Sequence, residues 1–363
     1  MRGRVIPASE LSLEEIAAWD GLCRNHPSLA SPFLTPHYTR ALASVAPHVF
    51  VCVLMRGADR VGFLPFQFRS RFHRLLRTAG PPGLEMTDYF GLVAEPGIGI
   101  DEPKLLKLAS LHVLTFSHLD ETQLEYGLSG EAPETGYLLH LDPEESNWQA
   151  LRRAHRKFAR HTEQGERQAT RDLGPLRFTP MEPDWKAGLA NLVTFKGRQY
   201  RETGQSNLFA IPWKRQLLEK LAACREATCT GILSTLYAGD TWLASHFGMR
   251  GGGILHYWFP VYNPEWSRFG PGRLLFKALI DNAHEMKLTL IDHGAGEALY
   301  KRECSNGSHK YYRGEWRRAG VGAWFGRAAE SARWRMERLA GNVAVNTRGK
   351  TKTVATVSTE DGT

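Results

Sequence analysis

Residues 254–312 constrain the fold of this chain more than any other stretch, because their local signals run strand, loop, helix, strand and short helix. Residues 254–262, ILHYWFPVY, combine aromatic and β-branched side chains as strands do. Residues 263–269 are a polar loop. Gly270, Pro271, Gly272 and Arg273 then open a helix over 274–287, with Phe276, Ile280 and Ala283 at three- to four-residue spacing. Residues 288–291 predict a second short strand, and residues 292–297, DHGAGE, leave its end. A small-residue turn feeding a helix start is a natural anion seat. Backbone N–H groups point outward there, the helix dipole favours negative charge, and glycine lets a phosphate come close. Gly-x-Gly alone is more often a plain loop before a helix. The strand before it, the helix after it and the polar strand end beyond it shift the expectation to an anion-binding turn.

Composition narrows the classes. With 363 residues and 42% hydrophobic content the chain can bury a core, and two domains are expected. The formal net charge of +8 points to an anionic partner: nucleic acid, an anionic membrane surface or anionic small molecules. The five cysteines, Cys23, Cys52, Cys224, Cys229 and Cys304, are odd in number and lack C-x-x-C spacing, which suggests reduced thiols and no disulfide framework or zinc site. No metal is expected. No apolar run follows Met1-Arg-Gly-Arg4, and no stretch reaches the roughly 18 apolar residues of a membrane span. A cytoplasmic protein is expected, with peripheral membrane contact compatible with its charge.

Taken in order, Ser12-x-x-Glu15 fits a capping box for a first helix within 9–26. A helix over 36–45, a strand over 49–55 and a hairpin partner over 61–68 follow. Pro65 marks that partner as bulged or at an edge. Residues 69–77 carry four arginines and a histidine, either a solvated loop or a contact for an acidic partner. Residues 78–100 are rich in Gly and Pro and hold Thr87-Asp-Tyr-Phe90; a helix around 104–111 and a strand at 115–119 come next. The second half repeats this order with a helix at 212–224, strands at 230–237 and 241–249, the strand at 254–262, the Gly-Pro-Gly turn, a helix and a strand. The recurrence suggests two related units in tandem. Between them, residues 147–169 place Trp148, Leu151, His155 and Phe158 near helical spacing with five basic residues interleaved. The plainer reading is an amphipathic helix covering the junction; the functional ones are a basic wall beside the acceptor or cofactor phosphates, or a membrane-surface helix. A further helix is expected over 181–199, a terminal helix over 326–339 and a disordered polar tail after 342.

Residues 230–317 resemble the GCN5-related N-acetyltransferases (GNAT), and more closely the branch of the cellulose-biosynthesis protein CelD, which is similar to the FemAB peptidoglycan aminoacyltransferases. The matching residues are the hairpin 236–244, Tyr257, Tyr262, the run 269–275, and Asp292, Gly294, Gly296, Glu297, Tyr300 and Lys301. The likeness is good over about 150–317 and weaker over 30–110. It implies an α+β fold with a mixed sheet. The domains would be a degenerate GNAT-like domain at 1–140, a helical connector and start of the second unit at 141–228, an acyl-CoA-binding domain at 229–340 and a tail at 341–363.

The resemblance implies acyl-CoA, most simply acetyl-CoA, as co-substrate. Its pyrophosphate would meet the backbone of Phe269, Gly270, Gly272 and Arg273, with Arg268 and Arg273 adding charge, and its thioester would lie along the strand 254–262, polarised by a backbone N–H. Tyr300 stands where relatives place the tyrosine that protonates the thiolate. Asp292 is a candidate base or orienting carboxylate, with a turn-capping role as its rival; His256 is a candidate beside the thioester. Lys301, Glu297 and Tyr257 are expected on the substrate side, and Cys304 is an acyl carrier only in principle. The implied acceptor is an amine or hydroxyl, by resemblance a saccharide of cellulose, exopolysaccharide or cell-envelope synthesis, and a complex with a polysaccharide synthase would follow. The alternatives are aminoacyl transfer from charged tRNA, the one setting in which nucleic acid is expected, and a non-catalytic partner of a synthase.

Overall fold

The computed structural model describes residues 1–296 and 298–318. Glu297, the expected terminal helix and the expected tail lie outside the described residues.

The first half contains β1 (Arg2–Pro7), α1 (Leu13–Asn25), α2 (Pro36–Ala43), β2 (Val49–Arg56), β3 (Asp59–Gln67), α3 (Arg71–Leu75), β4 (Thr78–Ala79), β5 (Val93–Ala94), α4 (Glu102–Leu108), β6 (Val113–Asp120) and β7 (Glu131–His140). The second contains α5 (Asn147–Ala154), α6 (Arg156–Leu173), β8 (Leu176–Thr179), α7 (Trp185–Thr203), α8 (Pro212–Ala223), β9 (Arg225–Glu226), β10 (Cys229–Ala238), β11 (Thr241–Gly251), β12 (Ile254–Tyr262), α9 (Pro271–Asp281), β13 (Leu290–Ala295), α10 (Leu299–Glu303) and β14 (Gly307–Arg317). From β1 and from β8, each half runs strand, two helices, hairpin, strand, helix and two further strands, with the short elements α3 and β4 added in the first and β9 and α10 in the second. The fold class is therefore the expected mixed α/β one with two units of the same order.

Local chemistry accounts for the boundaries. Ser12 and Glu15 form the expected capping box at α1. Thr35 caps α2, whose first residue is Pro36, where the missing N–H costs nothing. Pro65 sits where β3 has a partner on one side only, since β5 pairs with Gly62 and Phe63 alone.

The strands make a four-stranded sheet, β1-β2-β3-β5, and a ten-stranded mixed sheet in the order β4-β6-β14-β7-β13-β12-β11-β10-β8, with β9 on β10. In the large sheet the halves exchange their last strands. β7 pairs with β13 of the second half (Asp292↔Leu138), β14 pairs with β6 of the first (Trp316↔Leu114), and β7 and β14 run side by side (Ser308↔Tyr137). Separating the halves means breaking a ladder at the middle of a sheet. One apolar cluster also crosses the junction, joining Trp19, Phe33 and Tyr38 to Leu217, Phe247 and Phe259. A second lies beneath α9 and holds Phe276, Leu279 and Ile280 against Tyr257, Trp148 and Phe158. Each such side chain contributes roughly 1.5–3 kcal/mol by leaving water.

Several local expectations need correction. α9 starts at Pro271 and ends at Asp281, short of residue 287. β13 extends to Ala295, so Asp292 and His293 are strand residues and not the start of a loop; β7 supplies the hydrogen-bonding edge that keeps them extended. The basic stretch 147–169 breaks at His155 into α5 and α6.

Candidate active site

β12 and β13 are parallel neighbours only as far as His256↔Asp292; beyond that pair β13 follows β7 and β12 follows β11. The strands therefore splay and leave the second half of β12 with an edge that β13 does not cover. A β-bulge lies at the same place. Three steps along β12, His256 to Phe259, match two along β11, Met249 to Phe247. Bulges re-aim backbone groups and are over-represented beside active sites.

A cavity of about 400 Å³ opens at this splay. Its walls come from β12 (Tyr257, Pro260, Tyr262), the start of α9 (Gly270, Gly272, Arg273), α10 (Tyr300), α6 (Phe158) and α7 (Lys196, Gln199). The α9 end is less open than sequence alone implies. The Gly270 amide donates to Ser267 O at 3.0 Å and the Arg273 amide to Gly270 O at 2.9 Å, and Pro271 has no N–H. Gly272 lines the cavity, and its amide has no such partner among the described residues, one donor at a helix N-terminus where the dipole favours an anion. Gly270 has φ of 67°, the left-handed region that glycine enters without strain, and an added Cβ there would meet Arg273 Nη2 at 2.4 Å. The guanidinium thus folds over the turn. The turn is braced from behind, since Gly165 of α6 packs so close that a Cβ would meet Phe269 O at 2.0 Å.

The side chains of Phe269 and Arg268 lie outside the cavity lining. The Phe269 side chain is buried in the cluster with Leu243, Leu274 and Leu275. Arg268 lies over the Trp266 and Phe269 rings and 3.6 Å from Asp172. Both serve the shape of the turn and neither lines the cavity.

Tyr257 and Tyr300 do share the cavity. Tyr257 is buried, edge-on to Phe276, and burial pushes its phenol well up. Tyr300 is 41% exposed, and burial of its hydroxyl end raises it to about 12. Cys304 lines the same wall, but burial raises its thiol, which disfavours the thiolate an acyl carrier needs. Lys196 is the residue that sequence reasoning passed over. It reaches in from α7, donates from Nζ to Pro260 O at 3.1 Å, lies over the Tyr200 ring, and has no carboxylate within ion-pair distance among the described residues. Burial lowers its ammonium to about 8.

Asp292 and His256 lie on the opposite face of the sheet, covered by the first half. His256 Nε2 donates to Asp88 Oδ2 at 3.0 Å, and its Nδ1 is 3.4 Å from Asp292 Oδ2, close enough for charge pairing though not aligned as a hydrogen bond. The Tyr89 hydroxyl donates to Asp292 Oδ2, and the Gly294 amide to Asp292 Oδ1 at 2.7 Å. Burial alone would push the His256 imidazole down; the paired carboxylates of Asp292 and Asp88 outweigh it and bring it to about 9. Burial would raise Asp292, yet His256 holds it well below the usual carboxylate range. Lys301, expected on the substrate side, serves the backbone here. Lys301 Nζ donates to the Gly294 and Ala295 carbonyls and closes the turn after β13.

Comparisons with known proteins bear on the domain and on the fold. Residues 156–302 match the family model described as acetyltransferase (GNAT) domain. Among curated proteins no match was found. The crystal structure of FemX superposes with a TM-score of 0.56 at 10% identity, covering 87% of this chain and 96% of that one. The C-terminal domain of a putative lysylphosphatidylglycerol synthetase from Agrobacterium fabrum does so with a TM-score of 0.52 at 11% identity, covering 88% and 95%. At these identities the two structures establish a shared fold.

A sheet splayed beside a helix N-terminus, with a cavity along the free strand edge, is the fold these structures share with the chain. The part of the chain that matches the acetyltransferase (GNAT) domain model, residues 156–302, supplies the α6, α7, β12, α9 and α10 walls of the cavity.

Proposed function

We propose that the protein moves an acyl group, most simply acetyl, from acyl-CoA to an amine or hydroxyl acceptor. The observation that carries this is the end of β12–β13 pairing at His256↔Asp292, which opens a cavity bounded by the N-terminus of α9. The diphosphate sits on the Gly272 amide with Arg273 swung onto it, and the thioester lies along β12, where a backbone N–H at the bulge polarises its carbonyl. Residues 229–318 hold the donor, and the unit 1–140 contributes Asp88 and Tyr89 behind the splay. The resemblance to CelD-type proteins suggests a cell-envelope or exopolysaccharide saccharide as acceptor.

Magnitudes decide the proton carrier. A free thiol titrates near 8.5. A phenol held at about 12 transfers its proton to such a thiolate at a cost of about 5 kcal/mol, so Tyr300 acts as a hydrogen-bond donor to the leaving sulfur. Lys196, at about 8, is matched to both halves of the task. Its neutral amine takes the proton from the attacking acceptor, the acyl C–N or C–O bond forms, the C–S bond breaks, and the ammonium returns the proton to the thiolate. No covalent intermediate is needed, because proximity in a ternary complex supplies much of the acceleration. Asp292 and His256 act through position: they tie β12, β13 and the first half together at the point where the strands part.

Calorimetric titration with acetyl-CoA tests the donor assignment, and absence of binding at millimolar ligand would remove it. A second reading, aminoacyl transfer from charged tRNA, is favoured by one observation. Arg156, Lys157 and Arg160 of α6 are exposed beside Phe158, which lines the cavity. Steeply salt-dependent tRNA binding would support it, and indifference to tRNA would end it.

A further inference from the structure

The short helix α3 presents a face that the acyl-transfer reading does not use. Its Phe72 is 57% exposed and its Leu75 is 77% exposed. Arg71, Arg74 and Arg77 are exposed around them, with no carboxylate within ion-pair distance among the described residues. Arg69, at the start of the segment, is instead bonded to Glu85 at 2.8 Å. The Arg74 guanidinium rests over the Phe50 ring at 5.0 Å, which holds it in place while the side chain stays exposed. Ser70 caps the helix by accepting from the His73 amide, so these side chains project from an ordered turn.

Two apolar side chains ringed by three unpaired guanidiniums pose the question of what covers them. A protein partner needs about 800 Å² per side with an apolar centre, more than one phenyl and one isobutyl group supply. A bilayer surface makes no such demand. Amphipathic elements sink a few apolar side chains at the boundary of headgroup and acyl chain while Lys and Arg meet anionic headgroups. The path of the chain supports the same occupant. The Arg318 amide donates to His112 O at 2.9 Å, and the His112 amide donates to Arg77 O at 2.9 Å, so the chain passes residue 318 directly beside α3. The sequence that follows carries Trp324, Phe325 and Trp334 with Arg327, Arg333, Arg335 and Arg338 against Glu330 and Glu337. With four arginines against two glutamates, its composition suits the same anionic surface as α3. Among the described residues no helix is long and apolar enough to cross a membrane, so the contact is peripheral.

We infer that the α3 face, Phe72 and Leu75 within Arg71, Arg74 and Arg77, docks the protein on an anionic lipid bilayer. The full chain is co-sedimented with vesicles of phosphatidylcholine alone or mixed with phosphatidylglycerol, at low and physiological ionic strength. The expected result is binding to the mixed vesicles only, weakened by salt. Each Arg→Gln change at 71, 74 or 77 lowers the partition coefficient about fivefold. The pair F72S/L75S lowers it at least tenfold, with unfolding temperatures at the wild-type value because the side chains are exposed. Equal binding to both vesicle types, no binding to either, or binding unchanged in both sets of variants would overturn the assignment. So would light scattering without lipid that shows a wild-type dimer dissolved by F72S/L75S, which would make the face a protein interface.

Discussion

Replacing Gly272 with valine separates the stability of this fold from its capacity to bind acyl-CoA. A Cβ added at Gly272 meets nothing closer than Tyr262 Cδ1 at 4.0 Å, an ordinary contact, and the backbone is helical there. Helix propensity favours valine over glycine by a few tenths of a kcal/mol. The unfolding temperature is therefore expected to hold or rise slightly. The two γ-methyl groups, however, stand in the seat that a phosphate must enter to reach the Gly272 amide. Losing one charge-assisted hydrogen bond costs about 1.5–3 kcal/mol, and losing the close approach to the helix dipole about 0.3–1 more. The sum, about 2–4 kcal/mol, raises the Kd for CoA roughly 30- to 800-fold. Gly270→Ala is the contrasting variant. Its left-handed φ of 67° costs alanine ~1–2 kcal/mol, and the new Cβ displaces the Arg273 guanidinium, so binding and stability both fall. Isothermal titration with CoA and a thermal melt on each variant provide the readouts. A folded Gly272→Val protein that binds CoA with wild-type affinity would refute the phosphate seat.

The remaining expectations concern the two faces of the sheet. Lys196→Ala is expected to lower acyl transfer 10²- to 10⁴-fold while CoA affinity stays within about threefold, the signature of a lost general base. In the wild type the rate rises with pH through about 8, as the active neutral amine forms, and this limb is absent from the variant. Asp292→Ala leaves the His256 charge and the Tyr89 hydroxyl without their shared partner, and urea unfolding is expected to show a loss of about 3–5 kcal/mol. The pH dependence of stability has a defined sign: the His256 contribution is complete below about 6.5, where folded and unfolded imidazole are both charged, and is lost as pH rises through about 9. The Asp292 contribution is present above about 3.9 and is lost as pH falls toward its depressed value. Melting curves in a series of buffers should give a plateau between about 4 and 6.5, with stability declining toward pH 9.

What was legible in the sequence was whatever a short window decides. The strand Ile254–Tyr262 announces itself through its aromatic and β-branched residues, the α9 start through Gly270-Pro-Gly272, and the α1 start through Ser12 and Glu15. What stayed hidden depends on pairing across more than a hundred residues. β7 and β14, the exchanged strands, are polar and half exposed, so neither shows a clean alternation, and nothing local marks them as the centre of a ten-stranded sheet. Yet β7 is the element that holds Asp292 and His293 extended. Once both are in a strand, their side chains must face opposite sides, so Asp292 turns toward Tyr89 and His256 while His293 turns toward Phe276 and Tyr300. Asp292 and Tyr300 come eight residues apart and look like partners in one groove; strand alternation divides them. Lys196 was hidden for the converse reason. Its neighbours in sequence are an ordinary amphipathic helix, and only the placement of α7 against β12 turns a surface-type residue into a desolvated amine at the cavity wall. The groove itself was foreseeable because strand, turn and helix are contiguous in the chain. The chemistry on its two faces was not, because it is assembled by strand exchange between halves: β7 of the first half fixes which way Asp292 and His293 point.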